Sequence, residues 1–392
     1  MKWRQNVKGH IKKRGQASWA IVIDLGRDAD GKRRQKWHSV KGTKRQAEAE
    51  LGRLLNARQT GSYVEPNRLT LAAFFADWFS TRVESKVSRK TLQEYKRIFS
   101  LHIAPALGHV KLAALTPVQI QNYYAQALKT GRRDGEGGLS AQTVRHHHRL
   151  LKQCLQAAVK WRLLSWNPAD GAEPPAVERR EMTALDEAQA AHLLEVAKDC
   201  VAYMPALLAL TTGMRRGEML ALRWREVDLR AKTISVVRTL EQTKAGLRFK
   251  EPKSAKSRRA IALPDVAVDA LKRHRVAQAE VRLALGGDYQ DGDLVICCPD
   301  GTPYAPDNLS TAFAKLAERA GLPQCRLHDL RHTHATLLLR AKVHPKVVSE
   351  RLGHSAVGIT LDTYSHVLPG MQAEAAQSLN AALGTAMAAK LG

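Results

Sequence analysis

The chain has 392 residues with 62 Lys and Arg against 37 Asp and Glu, a net charge of +25. That length calls for two or three domains, and so large a basic excess implies a polyanionic partner, nucleic acid first among them. No uninterrupted apolar run approaches the roughly 20 residues of a membrane span, MKWRQNVKGHIKKRG lacks the apolar centre of a signal peptide, and Cys154, Cys200, Cys297, Cys298 and Cys325 lack the paired spacing of a disulfide framework or zinc ribbon.

The charge is uneven. Residues 1–60 carry 16 Lys and Arg against 5 Asp and Glu, residues 61–170 carry 16 against 7, and the remainder 30 against 25. The first two segments are therefore expected to grip phosphates over a long surface and the last to use its cations locally. Residues 16–40 alternate as a hairpin, SWAIVIDLG and KWHSV around the turn-rich RDADGKRRQ. A short strand over residues 10–14 precedes it, and Thr43 caps a helix, KRQAEAELGRLLNARQ, that ends near Gly61. Lys12, Lys13, Arg14, Arg33, Arg34 and Lys36 lie on or beside these strands.

A linker over residues 61–67 leads to Thr70, the expected cap of LAAFFADWFSTRVE, and three more helices follow with start signals at Thr91, Thr116 and Ser140 and stops at Gly108 and Gly131. Leu150, Leu151, Leu155, Val159 and Leu163 keep a helical period and are expected in the core. Lys86, Arg89, Lys90, Arg145 and Arg149 sit at loops or helix starts where phosphates can be met. The run His146, His147, His148 points in three directions on a helix, so it reads as a DNA-facing or solvated patch and not a metal site. NPADGAEPPAVERREMTAL, rich in Pro, Gly and charge, marks a second linker.

Beyond it come five polar islands: Arg215 in TTGMRRGE, Lys253 in PKSAKSRR, His328 and Arg331 in HDLRHTHAT, His354 in LGHS and Tyr364 in LDTYSHV. A tyrosine attacks a phosphodiester only where cations hold the developing negative charge and the leaving oxygen receives a proton. His328 and Arg331, three apart on a helix, can reach one phosphate; His332 and His334 read as structural or DNA-proximal. Arg215 and Arg216 are consecutive and cannot both bind one phosphate, and Lys244, Lys250, Arg258 and Arg259 read as exposed turn cations. The tail carries Leu379, Leu383 and Met387 on one stripe of an Ala-rich helix.

At this order and spacing the islands resemble the tyrosine recombinases, the family of phage and mobile-element integrases, over about residues 67–368. The resemblance implies a multidomain α+β fold: a small three-stranded sheet plus helix over residues 1–65 similar to an arm-type DNA-binding domain, a helical, SAM-like core-binding domain over 66–170, and a mainly α catalytic domain with a small β-sheet over 180–392. It further implies that Tyr364 attacks the scissile phosphate to give a 3′-phosphotyrosine. Arg215, with Arg216 as a variable neighbour, and Arg331 would bracket the non-bridging oxygens, His328 would assist tyrosine deprotonation or hold the phosphate, His354 would hydrogen-bond it, and Lys253, with Lys256 as its rival, would protonate the leaving oxygen. No ATP or other cofactor is expected, and no carboxylate cluster suited to magnesium accompanies the set. The implied partners are double-stranded attachment-site DNA, core and arm, with a homo-tetramer in synapsis and an excision factor or host DNA-bending protein. The expected location is the cytoplasm, at the nucleoid. The leading function is integration or excision of a prophage or mobile element; the alternatives are a Xer-like dimer resolvase and a DNA-binding regulator without catalysis. Docking of the tail in cis or on a neighbouring protomer stays open.

Overall fold

Alternation at the N-terminus produces a three-stranded antiparallel sheet, β1 (Gly9–Gly15), β2 (Ser18–Arg27) and β3 (Arg33–Lys41), in that order. One face lies under α1 (Lys44–Gln59), where Ile21, Ile23 and Leu54 form a small core with Ile11, Val40 and Leu51 against it. Thr43 caps the helix, accepting from the Gln46 amide at 3.3 Å. The computed structural model describes residues 9–27, 30–59, 68–178, 184–243, 245–251 and 258–364, with 376, 377, 379–381 and 383. They divide into two compact units, Met1–Arg179 and Arg180–Gly392.

The rest of the first unit is helical: α2 (Leu71–Trp78), α3 (Arg89–Ile98), α4 (Ala104–Leu107), α5 (Pro117–Thr130) and α6 (Ala141–Lys160). π-Helical turns at Phe79–Val83 and Phe99–Ile103 extend α2 and α3. They bring Phe79 and Phe99 onto Phe75, with the Phe75 and Phe99 rings stacked 3.6 Å apart. Thr70, Thr116 and Ser140 cap as the sequence predicts. α3 starts earlier than expected, because Ser88 and not Thr91 is its cap, accepting from the Thr91 amide. Leu150, Leu151 and Leu155 are buried, and Val159 and Leu163 half-buried.

The histidine run on α6 is a correction. His147 is fully buried and its Nδ1 pairs with the Tyr123 hydroxyl at 2.8 Å, while His148 Nδ1 pairs with Tyr124 at 2.9 Å. His147 falls on the face of Val144, Leu151, Cys154 and Ala158, so only His146 of the three is well exposed. The start of the expected second linker is also packed. Asn167 donates to the Lys152 carbonyl at 3.1 Å, and Ala169 and Ala172 join the helical core.

In the second unit α7 (Glu187–Ala197), with a capping box on Asp186, and the apolar α8 (Tyr203–Thr212) precede the short α9 (Arg216–Met219). β4 (Val227–Asp228), β5 (Thr233–Val236) and β8 (Arg259–Ala262) form one sheet in the order β4-β5-β8, and β6 (Thr239–Thr243) pairs with β7 (Gly246–Lys250). The helices α10 (Asp265–Leu285), α11 (Pro306–Arg319), α12 (Leu327–Arg340), α13 (Pro345–Leu352) and α14 (Val357–Tyr364) complete it. One large core runs from Leu185 to Leu330, and a second gathers Ala335, Leu339, Val348, Leu352 and Tyr364. The fold class is therefore α+β, mostly helical, with small sheets. Among the described residues no helix is long and apolar enough to cross a membrane.

Candidate active site

Two helix ends build the site. α8 stops at Gly213 (φ 67°) and α13 at Gly353 (φ 65°), both left-handed, a conformation glycine adopts without penalty. A Cβ on Gly213 would come within 2.7 Å of His334 and Leu352. The carbonyls freed at these ends accept from the arginines: Arg331 Nη1 donates to Gly213 at 2.5 Å and Nη2 to Leu352 at 2.7 Å, and Arg215 Nη2 donates to Gly353 at 3.2 Å.

Arg215 sits just before α9, and Glu218 one turn on holds it from both sides. The Arg215 amide donates to Glu218 Oε2 at 2.9 Å and its Nη1 to Oε1 at 2.8 Å. Arg259 on β8 closes the group, with Nη2 2.8 Å from Glu218 Oε2 and Nε donating to the Arg351 carbonyl at 2.6 Å. Its side chain is only 7% exposed, which corrects its reading as an exposed turn cation. Burial alone would raise the Glu218 carboxyl, but hydrogen bonds and charge from Arg259, with those of Arg215, bring it below the ordinary value. Arg216 turns away, donating to the Pro306 carbonyl at 2.8 Å and to Ser310. Lys250 pairs with Glu241 across the β6–β7 ribbon at 2.7 Å, again not a free turn residue.

On α12 Arg331 is buried, and burial followed by the charge of Arg215 pushes its guanidinium down to about 9, still protonated at neutral pH. His328 is exposed on the same helix; partial desolvation and then Arg331 lower its pKa. His354 bonds Thr360 Oγ1 through Nδ1 at 2.8 Å and is held near 4 by burial and then Arg331 and Arg215. Tyr364, 2% exposed, is pushed up to about 12 by burial, partly offset by Arg331. The charge of Arg331 thus reaches His328, His354 and Tyr364, and that of Arg215 reaches Arg331, His328 and His354. Lys253 and Lys256 lie outside the described residues, between β7 and β8 in the chain. His334 is structural, paired with the Leu210 carbonyl at 2.8 Å. His332 Nδ1 meets the Tyr364 hydroxyl at 2.6 Å. Its only sequence signal is its place one helical turn after His328.

The cations of the first unit divide by pleat and groove. Lys12 and Arg14 share a face of β1 and lie 5.5 and 5.4 Å from the ring centroid of Trp37, itself 47% exposed. Lys36 pairs in register with the buried Ile23, and Lys13 with Trp19, so both belong to the opposite face. Arg33 pairs with Asp24 at 2.6 Å, and the Arg34 side chain is outside the described set. Lys86 and Arg149 line one cleft of about 480 Å³ with Arg82, Lys152 and Lys160, three cations that the sequence reading missed. Arg89 and Lys90 are exposed and Arg145 is half-buried; none of the three lines that cleft.

The profile of the Phage integrase family matches residues 183–370, and that of the Phage integrase N-terminal SAM-like domain matches residues 70–128, together more than half of the chain. Similar proteins include a tyrosine recombinase XerC-like protein of Caldanaerobacter subterraneus, 29% identical over 95% of this chain and 98% of its own length. The ICEBs1 integrase of Bacillus subtilis is 26% identical over 94% and 99%. Among solved structures, the Tn1549 transposon integrase in complex with a circular intermediate DNA superposes with a TM-score of 0.67 at 20% identity, covering 79% of this chain and 99% of that one. A lambda integrase dimer bound to a COC′ core site gives 0.54 at 17% identity, covering 92% and 96%. At these identities the structural likeness is one of fold. The two profiles, matched in order along the chain, carry the conclusion that it belongs to the phage integrase family, the tyrosine recombinases, enzymes that cut and rejoin DNA.

Proposed function

We propose that the chain is the integrase of a prophage or integrative element, cutting and rejoining attachment-site DNA through a 3′-phosphotyrosine on Tyr364. The observation that carries this reading is a buried tyrosine near enough to Arg331 to feel its charge, with Arg331 fixed by the Gly213 and Leu352 carbonyls and Arg215 on the adjoining Gly353 carbonyl. Arg215 and Arg331 offer planar, bidentate donors to the non-bridging oxygens. His328 and His354 hold the phosphate, and Lys253, with Lys256 as its rival, protonates the 5′ oxygen. Bond energy is kept in the phosphotyrosine, so strand transfer requires no ATP.

Residues 1–65 bind arm sites, 66–170 clamp the core site and 180–392 carry the chemistry. The exposed Lys12, Arg14 and Trp37 support the first assignment, and the cleft of Arg82, Lys86, Arg149, Lys152 and Lys160 the second. The protein acts in the cytoplasm as a tetramer on DNA, with an excision factor or DNA-bending protein where excision requires one. Leu379 and Leu383, 60% and 53% exposed, support docking of the tail on a neighbouring protomer. Resolution of replicon dimers is the second reading, favoured by the name of the Caldanaerobacter relative.

A nicked core-site substrate that traps the covalent complex tests the chemistry. Tyr364→Phe should bind it normally and form no SDS-resistant adduct; an adduct from that variant would overturn the assignment. Lys253→Ala should regain cleavage when the 5′-bridging oxygen is sulfur, because a thiolate leaves without a proton. Recovery of Lys256→Ala instead would move the role. Direct repeats flanking the gene favour the integrase over the resolvase.

A further inference from the structure

The Tyr364 hydroxyl already has a partner. It lies 2.6 Å from Nδ1 of His332, with the two rings tilted and their centroids 5.8 Å apart. His332 stands one turn beyond His328 on α12, the two imidazoles edge to face at 5.0 Å. His332 is therefore the imidazole in hydrogen-bonding contact with the tyrosine, and His328 is displaced toward solvent. A phenol that attacks phosphorus must lose its proton by the transition state, and its acceptor must lie within hydrogen-bonding reach, roughly 2.6–3.2 Å. Burial, followed by the charge of His328, holds His332 neutral with a pKa of about 4, so its lone pair is available at neutral pH. Tyr364 at about 12 does not ionise there unaided.

We propose that His332 is the proton acceptor for Tyr364 in DNA cleavage, an inference that rests on Tyr364 as the nucleophile. As Tyr364 Oη forms its bond to phosphorus, the phenolic proton passes to His332 Nδ1. The phosphorus–O5′ bond breaks with its electron pair on the 5′ oxygen, which takes a proton from the separate acid assigned to Lys253. In rejoining, the 5′ hydroxyl attacks and gives its proton back to the group assigned to Lys253, the phosphotyrosine bond breaks with its electron pair on the phenolic oxygen, and His332 returns its proton to that oxygen. His328 is left to the phosphate. The neutral ring carries its own proton on Nε2 during attack, which fixes Nδ1 as acceptor.

Single-turnover cleavage of the nicked core-site substrate by the full-length protein tests this, using His332→Ala and His332→Gln with either natural Tyr364 or a ring-fluorinated tyrosine of lower pKa at that position. Glutamine accepts a hydrogen bond but takes no proton. Both variants should bind half-site DNA as the parent does and cleave about 100-fold more slowly. The fluorinated nucleophile should recover most of that loss, since a more acidic phenol depends less on a base. Unchanged or faster cleavage by His332→Ala would overturn the proposal. So would full activity of His332→Gln, or an equal loss with either nucleophile, each of which marks a packing or positioning role. If His332→Ala no longer binds half-site DNA, His332→Gln carries the test. A covalent adduct from Tyr364→Phe would overturn the nucleophile itself; an inactive Tyr364→Phe beside a fully active His332→Ala would overturn only the proton acceptor.

Discussion

The cations of the two units are held in opposite ways. Arg331 is buried and its guanidinium is fixed by two backbone carbonyls, and Arg215 is tied to Glu218 on two sides. Lys12 and Arg14 in the first unit lie on an exposed strand face over the ring of Trp37. Charge stabilisation at a reacting phosphate gains from donors oriented before the substrate arrives, because no reorganisation is then needed during the reaction. Grip on a phosphate backbone gains from the number of charges, and its contacts are weakened by salt. On the proposed reading, the same residue types serve chemistry where fixed acceptors surround them and affinity where they do not.

The sharpest break in that comparison is Arg331→Ala. It should lower single-turnover cleavage by about 10³-fold and, by leaving the Gly213 and Leu352 carbonyls without their donor, reduce stability by about 2 kcal/mol. Cleavage assays beside thermal unfolding measure both; a loss of cleavage without loss of stability would mean that the carbonyls find other partners. Deletion of residues 1–65 comes next. It should abolish binding to arm-site DNA and flatten the salt dependence of full-site affinity, yet leave cleavage of a short core-site substrate intact. Unchanged arm-site shifts in a gel would remove the grip assigned to the N-terminal sheet.

Glu218→Gln keeps the shape and removes the charge between Arg215 and Arg259. Cleavage should fall about 10-fold and stability by roughly 1–3 kcal/mol at neutral pH. The folded pKa of Glu218 lies below its ordinary 4.5, so the carboxylate stabilises fully above that value and the contribution is lost as pH falls through the folded one. The gap between parent and variant in chemical denaturation should accordingly narrow as pH drops below about 4.5. A gap that is constant with pH would mean that packing, not charge, is at stake. The smallest effect belongs to Lys12→Ala with Arg14→Ala: arm-site affinity should weaken severalfold and the slope of log affinity against log salt lessen by about 2. An unchanged slope in fluorescence titration would place these cations away from phosphate.

The chain alone determined a good deal. Thr116 and Ser140 mark helix starts, Gly131 marks an end, and the alternation over residues 16–40 marks strands, since each signal acts within a few residues of itself. The islands around Arg215, His328, Arg331, His354 and Tyr364 stand out for a related reason: each is a short run whose residue types suit the chemistry proposed for it. Tertiary structure alone decided what meets each of them. Periodicity puts His147 and His146 on different faces of α6 but does not say that Tyr123 waits for the first. Register separates Lys36 from Lys12, and only the covering of one face by α1 says which side is free. Arg259 becomes a support of the clamp because β8 runs beside α9 and α13, and His332 meets Tyr364 because α14 returns across α12, 32 residues further along the chain. A sequence specifies which side chains share a face of their own element; the partner on the other side comes from a distant segment, and packing brings it there.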